Sequence, residues 1–208
     1  MSATLFRTIF TLALGFTALA AGMLDAATSA ARVNAPAPEF SATDSSGRTQ
    51  KLSAYKGKIV VLEWTNNGCP FVGKHYGSGN MQSLQKKYTG QGVVWLTVVS
   101  SAPGTQGFVN AEEANRDTQK RGAAPTAVLL DPTGAVGHLY GAQATPHMYV
   151  INPEGQLVYM GAIDDKRSTN PDDVKTAKNY VRAALDEALA GKPVSVASTV
   201  SYGCSIKY

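Results

Sequence analysis

The segment formed by residues 59–75, IVVLEWTNNGCPFVGKH, constrains the fold more than any other part of the chain. The apolar run 59–62 predicts a buried strand, residues 65–68 a polar turn, and Pro70 the first residue of a helix. Cys69 therefore meets the free N–H groups and the positive end of a helix, which stabilise a thiolate and lower its pKa from about 8.5 to roughly 3.5–7.5. The turn predicts an exposed loop tip. Cys69 is thus a candidate nucleophile, and a buried, inert cysteine is the alternative.

The first residues have the pattern of a secretory signal peptide. Arg7 precedes an apolar stretch of about a dozen residues that is followed by small side chains. Asp25 interrupts this stretch before it reaches the roughly 20 residues that span a bilayer. We predict a signal peptide in residues 1–30, cleaved after Ala20 or Ala30, and hence a periplasmic or secreted protein without stable membrane insertion. A retained N-terminal anchor is the alternative.

Charge and cysteine content limit the class of protein. The 208-residue chain has a net charge of +4 from scattered Lys and Arg residues, whereas nucleic-acid binding needs a clustered basic surface. We therefore predict no nucleic-acid partner. The two cysteines, Cys69 and Cys204, are an even number in a chain predicted to enter an oxidising compartment, where they could form a disulfide.

The order of predicted elements indicates one α/β domain. Strands alternate with helices in the first part, and an antiparallel pair plus a helix follow, which predicts a mixed sheet with helices on both faces. We place this domain at residues 35–190, with an irregular tail at 191–208. The pattern predicts a hairpin turn at 44–47 and strands at 59–64, 93–100, 127–131, 147–151 and 156–162. It also predicts helices at 110–121, 135–140 and 171–189. The helix after Cys69 should be interrupted at Gly77 and Gly79 and restart at Asn80.

Two motifs carry a family resemblance: the strand–turn–Cys–Pro–helix unit, and the segment LLDPTGAVGHLYGAQATPHMYVINPEGQLVYMG. With the order of elements between them, they make residues 35–189 resemble exported thioredoxin-fold redoxins that combine thioredoxin-like and peroxiredoxin-like (AhpC/TSA-like) features. The resemblance implies a cis peptide bond between Thr145 and Pro146, with Pro146 facing Cys69. It also implies thiol–disulfide oxidoreductase or thiol peroxidase activity without a cofactor, and an external thiol reductant or a disulfide-bearing protein as partner.

The chain differs from the sequence patterns of both dithiol oxidoreductases and peroxiredoxins. Dithiol oxidoreductases of this fold have a second cysteine three residues after the first, where this chain has Val72. Peroxiredoxins have a threonine or serine three residues before the reactive cysteine, where Asn66 stands here. They also have an arginine near the segment that contains Pro146, and neither Arg121 nor Arg167 matches its position. Because peroxide reduction needs donors that polarise the O–O bond, these departures weaken the peroxidase interpretation.

Four polar residues near Cys69 in sequence or in the expected fold could assist it. Glu63 falls where thioredoxins bury a carboxylate, so it could accept the proton of the cysteine; an edge-facing Glu paired with a lysine is the alternative. His75 and His147 could shuttle protons or bind metal, although a lone histidine is more often a packing residue. Lys74 could favour the thiolate, but we expect a solvated surface lysine.

Cys204 leaves three functions open. Like the C-terminal resolving cysteines of some peroxiredoxins, it could resolve an intermediate formed on Cys69 through a long-range disulfide. It could instead form a permanent disulfide in a non-catalytic binding module. In a third interpretation, Cys69, Cys204 and either His75 or His147 bind copper, because soft thiolate and imidazole ligands suit that metal.

Overall fold

The computed structural model describes residues 30–208 together with Met1, so residues 2–29 of the predicted signal peptide lie outside the described residues. Nine strands are present among the described residues: β1 Ser41–Asp44, β2 Thr49–Lys51, β3 Val60–Trp64, β4 Val94–Val99, β5 Ala127–Leu130, β6 Ala144–Thr145, β7 His147–Ile151, β8 Leu157–Gly161 and β9 Cys204–Ser205. The helices are α1 Pro70–Gly77, α2 Asn80–Thr89, α3 Ala111–Lys120, α4 Ala135–Tyr140 and α5 Tyr180–Leu189, with 3₁₀ turns at Leu52–Tyr55 and Pro171–Lys175.

Seven strands form one mixed sheet in the order β2-β1-β5-β4-β3-β7-β8. The central strands β3, β4 and β5 are parallel, and the remaining pairings are antiparallel. All residues of β3 and β4 are buried, as continuous apolar runs covered on both faces must be. This confirms the predicted α/β architecture with a mixed central sheet.

Two apolar cores lie on opposite faces of the sheet. On one face, side chains such as Val61 and Trp95 pack against Leu84 of α2 and Leu185 of α5. On the other face, Trp64 and its neighbours pack against α4 and the segment that precedes β1. The first core also contains Cys69, so the cysteine lies after the end of β3, on the face of the sheet that α2 and α5 cover.

Glycine and asparagine residues set most helix boundaries where the sequence predicted them. Gly79 has a left-handed φ of 75° and separates α1 from α2, because a residue without Cβ adopts this conformation at little cost. Asn110 accepts a hydrogen bond from the N–H of Glu113, whose carboxylate accepts one from the Asn110 N–H. This capping box starts α3 at the predicted position.

Two predicted segments differ from the structure. The single helix predicted at 171–189 is divided, since the 3₁₀ turn Pro171–Lys175 ends before Asn179, which caps α5 by accepting a hydrogen bond from the Arg182 N–H. The predicted irregular tail contains β9, which forms a separate two-stranded sheet with β6. Within residues 30–208, no helix has the length and apolarity required to cross a bilayer.

Candidate active site

Cys69 is the N-cap residue of α1, and Pro70 occupies its first position, as predicted. The Cys69 carbonyl accepts a hydrogen bond from the Gly73 N–H at 2.9 Å, which closes the first turn directly after the cysteine. However, Cys69 is only 1% exposed, so the prediction of an exposed loop tip is wrong. The residue is covered by the tail segment, which we define as residues 194–208.

The turn before Cys69 is held by Asn66. Its side-chain oxygen accepts a hydrogen bond from the Gly68 N–H at 2.8 Å, and its amide donates to the Gln106 carbonyl at 3.0 Å. Its carbonyl accepts from the Cys69 N–H at 3.1 Å. Asn66 therefore fixes the loop that carries the cysteine.

The cis-proline segment lies against the cysteine. The Thr145–Pro146 peptide bond is cis, as the resemblance implied. In its thiol form, Cys69 donates a hydrogen bond from Sγ to the Thr145 carbonyl at 3.1 Å. The structure thus brings together Cys69 and the Thr145–Pro146 pair from distant parts of the sequence.

The tail segment brings Cys204 to the same place. Strand β9 pairs antiparallel with β6, so that Cys204 lies opposite Thr145 and Ser205 opposite Ala144. Cys204 is half-buried, and both cysteines are free thiols. Gly203 makes this close approach possible, since a Cβ at that position would stand 2.0 Å from the Thr145 carbonyl oxygen.

The two thiols have opposite pKa shifts. Burial raises the pKa of Cys69, but hydrogen bonds with the Cys204 thiol and the Thr145 hydroxyl lower it. The backbone N–H groups of Val72 and Cys204 act in the same direction, and the net result is a pKa below the usual value. Burial and the interaction with Cys69 raise the pKa of Cys204 to about 11. Cys69 is therefore the more acidic thiol of the pair, and Cys204 is the less acidic one.

Glu63 is buried on β3, and its carboxylate accepts hydrogen bonds from four side chains. Burial raises its pKa, while these hydrogen bonds lower it and only partly offset the increase. None of the donors is Cys69, so its role as a proton acceptor stays a prediction. The donors are Trp95 at 2.7 Å, Tyr76 at 2.8 Å, Gln85 at 3.0 Å and Thr97 at 3.2 Å.

Lys74 is fully buried, which contradicts the prediction of a solvated surface lysine. Its ammonium group lies 3.2 Å from the Asp164 carboxylate and donates to the Lys166 carbonyl at 2.6 Å. Since this charge is already paired with a carboxylate, its net effect on the thiolate is small. Lys74 therefore contributes to structure in this arrangement.

His75 and His147 are buried in separate environments. Asn80 donates to His75 Nδ1 at 3.0 Å, so the opposite ring nitrogen carries the proton and contacts the Tyr202 hydroxyl at 3.3 Å. His147 Nδ1 accepts a hydrogen bond from the Gln143 N–H at 3.3 Å. Burial lowers the pKa of each ring to about 4.

The ligand set of the copper interpretation is not assembled. Among residues 30–208, no group of three or more His, Cys, Asp or Glu side chains is arranged to hold a metal ion. Cys69 and Cys204 are adjacent, but the two imidazoles form hydrogen bonds elsewhere. The interpretation with Cys69, Cys204 and either His75 or His147 therefore has no geometric support.

Two residues that lie beside the site were not predicted from the sequence. Tyr202 and Asp164 are both buried, and the tyrosine hydroxyl donates to the Asp164 carboxylate. Both residues stand in segments without helix or strand periodicity. No local signal in the sequence relates them to each other or to Lys74, so only the tertiary structure reveals this group.

Comparisons with known proteins agree with this architecture. A model of the AhpC/TSA family matches residues 33–160, which is more than half of the chain. No curated protein matches the chain in sequence.

Similar solved structures cover most of the chain. An uncharacterized conserved protein from Geobacillus kaustophilus is 28% identical with a TM-score of 0.73, and the alignment covers 85% of this chain and 92% of that one. A hypothetical protein from Sinorhizobium meliloti is 25% identical with a TM-score of 0.73, with 86% and 96% covered. A proposed protein disulfide isomerase from Bacteroides thetaiotaomicron is 18% identical with a TM-score of 0.56, with 77% and 91% covered, and shows the same fold.

Proposed function

Because the chain belongs to the AhpC/TSA family and has a thioredoxin-like fold, we propose that it is a thiol–disulfide exchange protein with Cys69 and Cys204 as its redox pair. One observation carries the proposal: two free thiols meet at the start of a helix, one with a lowered and the other with a raised pKa. This asymmetry provides a nucleophile at Cys69 and a resolving thiol at Cys204.

The reaction has two exchange steps. The Cys69 thiolate attacks one sulfur of a substrate disulfide, forms a mixed disulfide and releases the other sulfur as a thiolate. Cys204 then loses its proton to the released thiolate or to solvent and attacks the Cys69 sulfur. This step forms the Cys69–Cys204 disulfide and releases the second substrate thiol. The substrate gains two electrons and two protons, and an external thiol reductant restores the dithiol.

The surroundings of Cys69 favour a disulfide over a peroxide as substrate. Asn66, at the position of the peroxiredoxin threonine or serine, uses its side chain to hold the turn. Arg121 donates to the Asn67 carbonyl at 3.3 Å, and its guanidinium lies 4.7 Å from the centre of the Tyr76 ring. No arginine among residues 30–208 forms a hydrogen bond with Cys69. Among the described residues, therefore, neither an arginine nor a hydroxyl group at position 66, the two donors of the peroxiredoxin pattern, contacts this sulfur.

Reaction of the reduced protein with oxidised glutathione tests the proposal. We expect intact-mass analysis to show the Cys69–Cys204 disulfide as the end product. In Cys204→Ser the second step is blocked, so a stable mixed disulfide with glutathione should accumulate on Cys69. The matched Cys69→Ser variant should react much more slowly, because burial still raises the pKa of the remaining Cys204 thiol.

A parallel reaction with hydrogen peroxide separates the two substrate classes. If peroxide oxidised Cys69 faster than the disulfide did, the result would support a peroxidase function in place of disulfide exchange. If Cys69 stayed a free thiol under both oxidants, a redox function would be ruled out. A Cys69–Cys204 disulfide that external dithiols could not reduce would instead support the non-catalytic binding module.

We also propose that the protein acts outside the cytoplasm. The basic start, apolar stretch and small residues of the first 30 positions support export, and an oxidising compartment suits a protein that exchanges disulfides. Cell fractionation of the full chain, followed by N-terminal sequencing of the mature form, tests this proposal. Recovery of the uncleaved chain from the cytoplasm would contradict it.

A further inference from the structure

The tail segment is anchored beside the active site by Tyr202, which lies two residues before Cys204. Tyr202 is only 4% exposed. Its ring packs edge-on against Phe71 of α1, with 5.8 Å between ring centres. A tail residue thus inserts against the helix that begins at Cys69.

The Tyr202 hydroxyl enters a buried polar group that we call the Asp164 cluster, formed by Lys74, His75, Asp164 and Tyr202. The hydroxyl donates to Asp164 and lies 3.4 Å from the Lys74 ammonium and 3.3 Å from the His75 ring. The Lys74 and Asp164 side chains are each at most 1% exposed. A buried ion pair is favourable only while its hydrogen-bonding groups have partners. If the Tyr202 hydroxyl moved away, the Asp164 carboxylate would lose one of its hydrogen-bond donors.

Two further contacts fix the chain on either side of Cys204. Before it, Gly203 has a φ of 134° and lies so close to the Thr145 carbonyl that no side chain fits. After it, the Ile206 N–H donates to the Gln143 carbonyl at 3.3 Å. The Tyr202 anchor and the β6–β9 pairing are therefore the tail contacts that lie closest to Cys204 in sequence and help to hold it over Cys69.

This arrangement has two consequences for Cys69. It holds the resolving thiol against the nucleophile, and it also closes the site, because Cys69 is 1% exposed while the tail is in place. A disulfide on another molecule can reach Cys69 only after residues 202–205 move away. The stability of the tail anchor therefore controls access to the sulfur.

We propose that Tyr202 is a positioning residue that latches the tail over Cys69, so that its hydroxyl in the Asp164 cluster sets the fraction of molecules with an accessible sulfur. The substrate disulfide reacts with Cys69 while the tail is displaced. When the tail returns, Cys204 is again beside Cys69 and can resolve the mixed disulfide. The return of Cys204 to resolve the mixed disulfide rests on the proposed exchange function. The control of access does not depend on it.

The rate of Cys69 alkylation by iodoacetamide in the reduced full-length protein measures this access. Tyr202→Phe removes the hydroxyl and keeps the contact with Phe71. We expect alkylation of Cys69, followed by peptide mass analysis, to be about tenfold faster in this variant, which corresponds to a shift of about 1.4 kcal/mol in the opening equilibrium. Tyr202→Ala removes the ring as well and should give a larger increase.

Tyr140→Phe is the matched control. The Tyr140 hydroxyl is also buried and donates to the Pro38 carbonyl at 2.7 Å, but it lies on the opposite face of the sheet. This variant should change the alkylation rate less than about twofold, even where urea unfolding shows an equal loss of stability. Equal Cys69 alkylation rates in wild type and Tyr202→Phe, or equal rate increases in Tyr202→Phe and Tyr140→Phe, would contradict the proposed role of Tyr202.

Partitioning of products tests the positioning role separately. After reaction with oxidised glutathione, Tyr202→Phe should retain more mixed disulfide relative to the Cys69–Cys204 disulfide than wild type. Faster alkylation without any exchange chemistry would refute the proposed function and keep the latch. Normal exchange with unchanged alkylation and unchanged partitioning would refute the latch and keep the function.

Discussion

The Cys69 sulfur has neighbours that suit both of its protonation states. The Thr145 carbonyl can only accept a hydrogen bond, so it suits the thiol. The Val72 N–H and the thiol and N–H of Cys204 can donate, so they suit the thiolate. The same pocket therefore accommodates both the protonated thiol and the thiolate that attacks a disulfide. Cys204 is one of the groups that favour the thiolate.

Replacing Cys204 should change the pKa of Cys69. Cys204→Ala removes the thiol donor, so we expect a higher Cys69 pKa than in wild type. Cys204→Ser keeps an O–H donor at the same position and should give a smaller increase. The pH dependence of the ultraviolet thiolate absorbance measures both values. A Cys69 pKa in the alanine variant at or below that of the serine variant would contradict this assignment.

Substitution of Glu63 separates its shape from its hydrogen bonds. Glu63→Ala leaves four buried donors without their acceptor, which should cost about 3 kcal/mol or more of unfolding free energy. In Glu63→Gln, the amide oxygen can accept from Trp95, Gln85 and Thr97, while its NH₂ group donates to the Tyr76 oxygen, so most of the stability should return. Urea denaturation tests both variants, and equal stability of the two would refute this account of the cluster.

At the scale of elements, β9 depends on one glycine. A Cβ at position 203 would overlap the Thr145 carbonyl, and the φ of 134° is one that other residues rarely adopt. Gly203→Ala should therefore break the β6–β9 pairing and reduce the yield of the Cys69–Cys204 disulfide several-fold. Gly73→Ala, in α1 with open space at its Cβ, is the matched control and should retain the yield. An unchanged yield in Gly203→Ala would show that the tail does not need this pairing.

Local patterns predicted most elements because their causes are local. The interruption at Gly77 and Gly79 and the capping of α3 by Asn110 both follow from the conformations that these residues favour. The division of the predicted 171–189 helix was missed because apolar spacing continues across it. There the Asn179 side chain caps α5, and Asn179 pairs with Asp164 across an isolated bridge. Tertiary pairing thus overrides the local period.

At the scale of the whole molecule, the site is assembled from segments that are far apart in sequence. The strand–turn–Cys–Pro pattern located Cys69, and the family resemblance located Thr145 and Pro146. It allowed Cys204 to approach Cys69, but it did not predict the strand that places Cys204 there, because β9 is two residues long and has no periodic pattern. The burial of Lys74 also depends on a carboxylate 90 residues away, and no local pattern reports such a contact.

Burial of two histidines should make the stability of the whole domain depend on pH. The pKa values of His75 and His147 are about 4 in the folded protein, against about 6.5 for a histidine in the unfolded chain. Between these limits the unfolded chain binds more protons, so unfolding free energy rises with pH and is lost as the pH falls from about 6.5 to about 4. Each histidine should contribute a loss of about 2 kcal/mol between about pH 7 and about pH 5.

Glu63 acts in the opposite direction, because its raised pKa favours the folded state as the pH falls. One carboxyl opposes two imidazoles, and each group changes the slope by at most about 1.4 kcal/mol per pH unit, so the histidines determine the sign. Urea unfolding across this range should show falling stability in wild type, and a loss about 2 kcal/mol smaller in His147→Gln. His138→Gln, at an exposed position, should retain the wild-type slope. If His147→Gln also retained it, the neutral buried imidazole would be the wrong cause of the pH dependence.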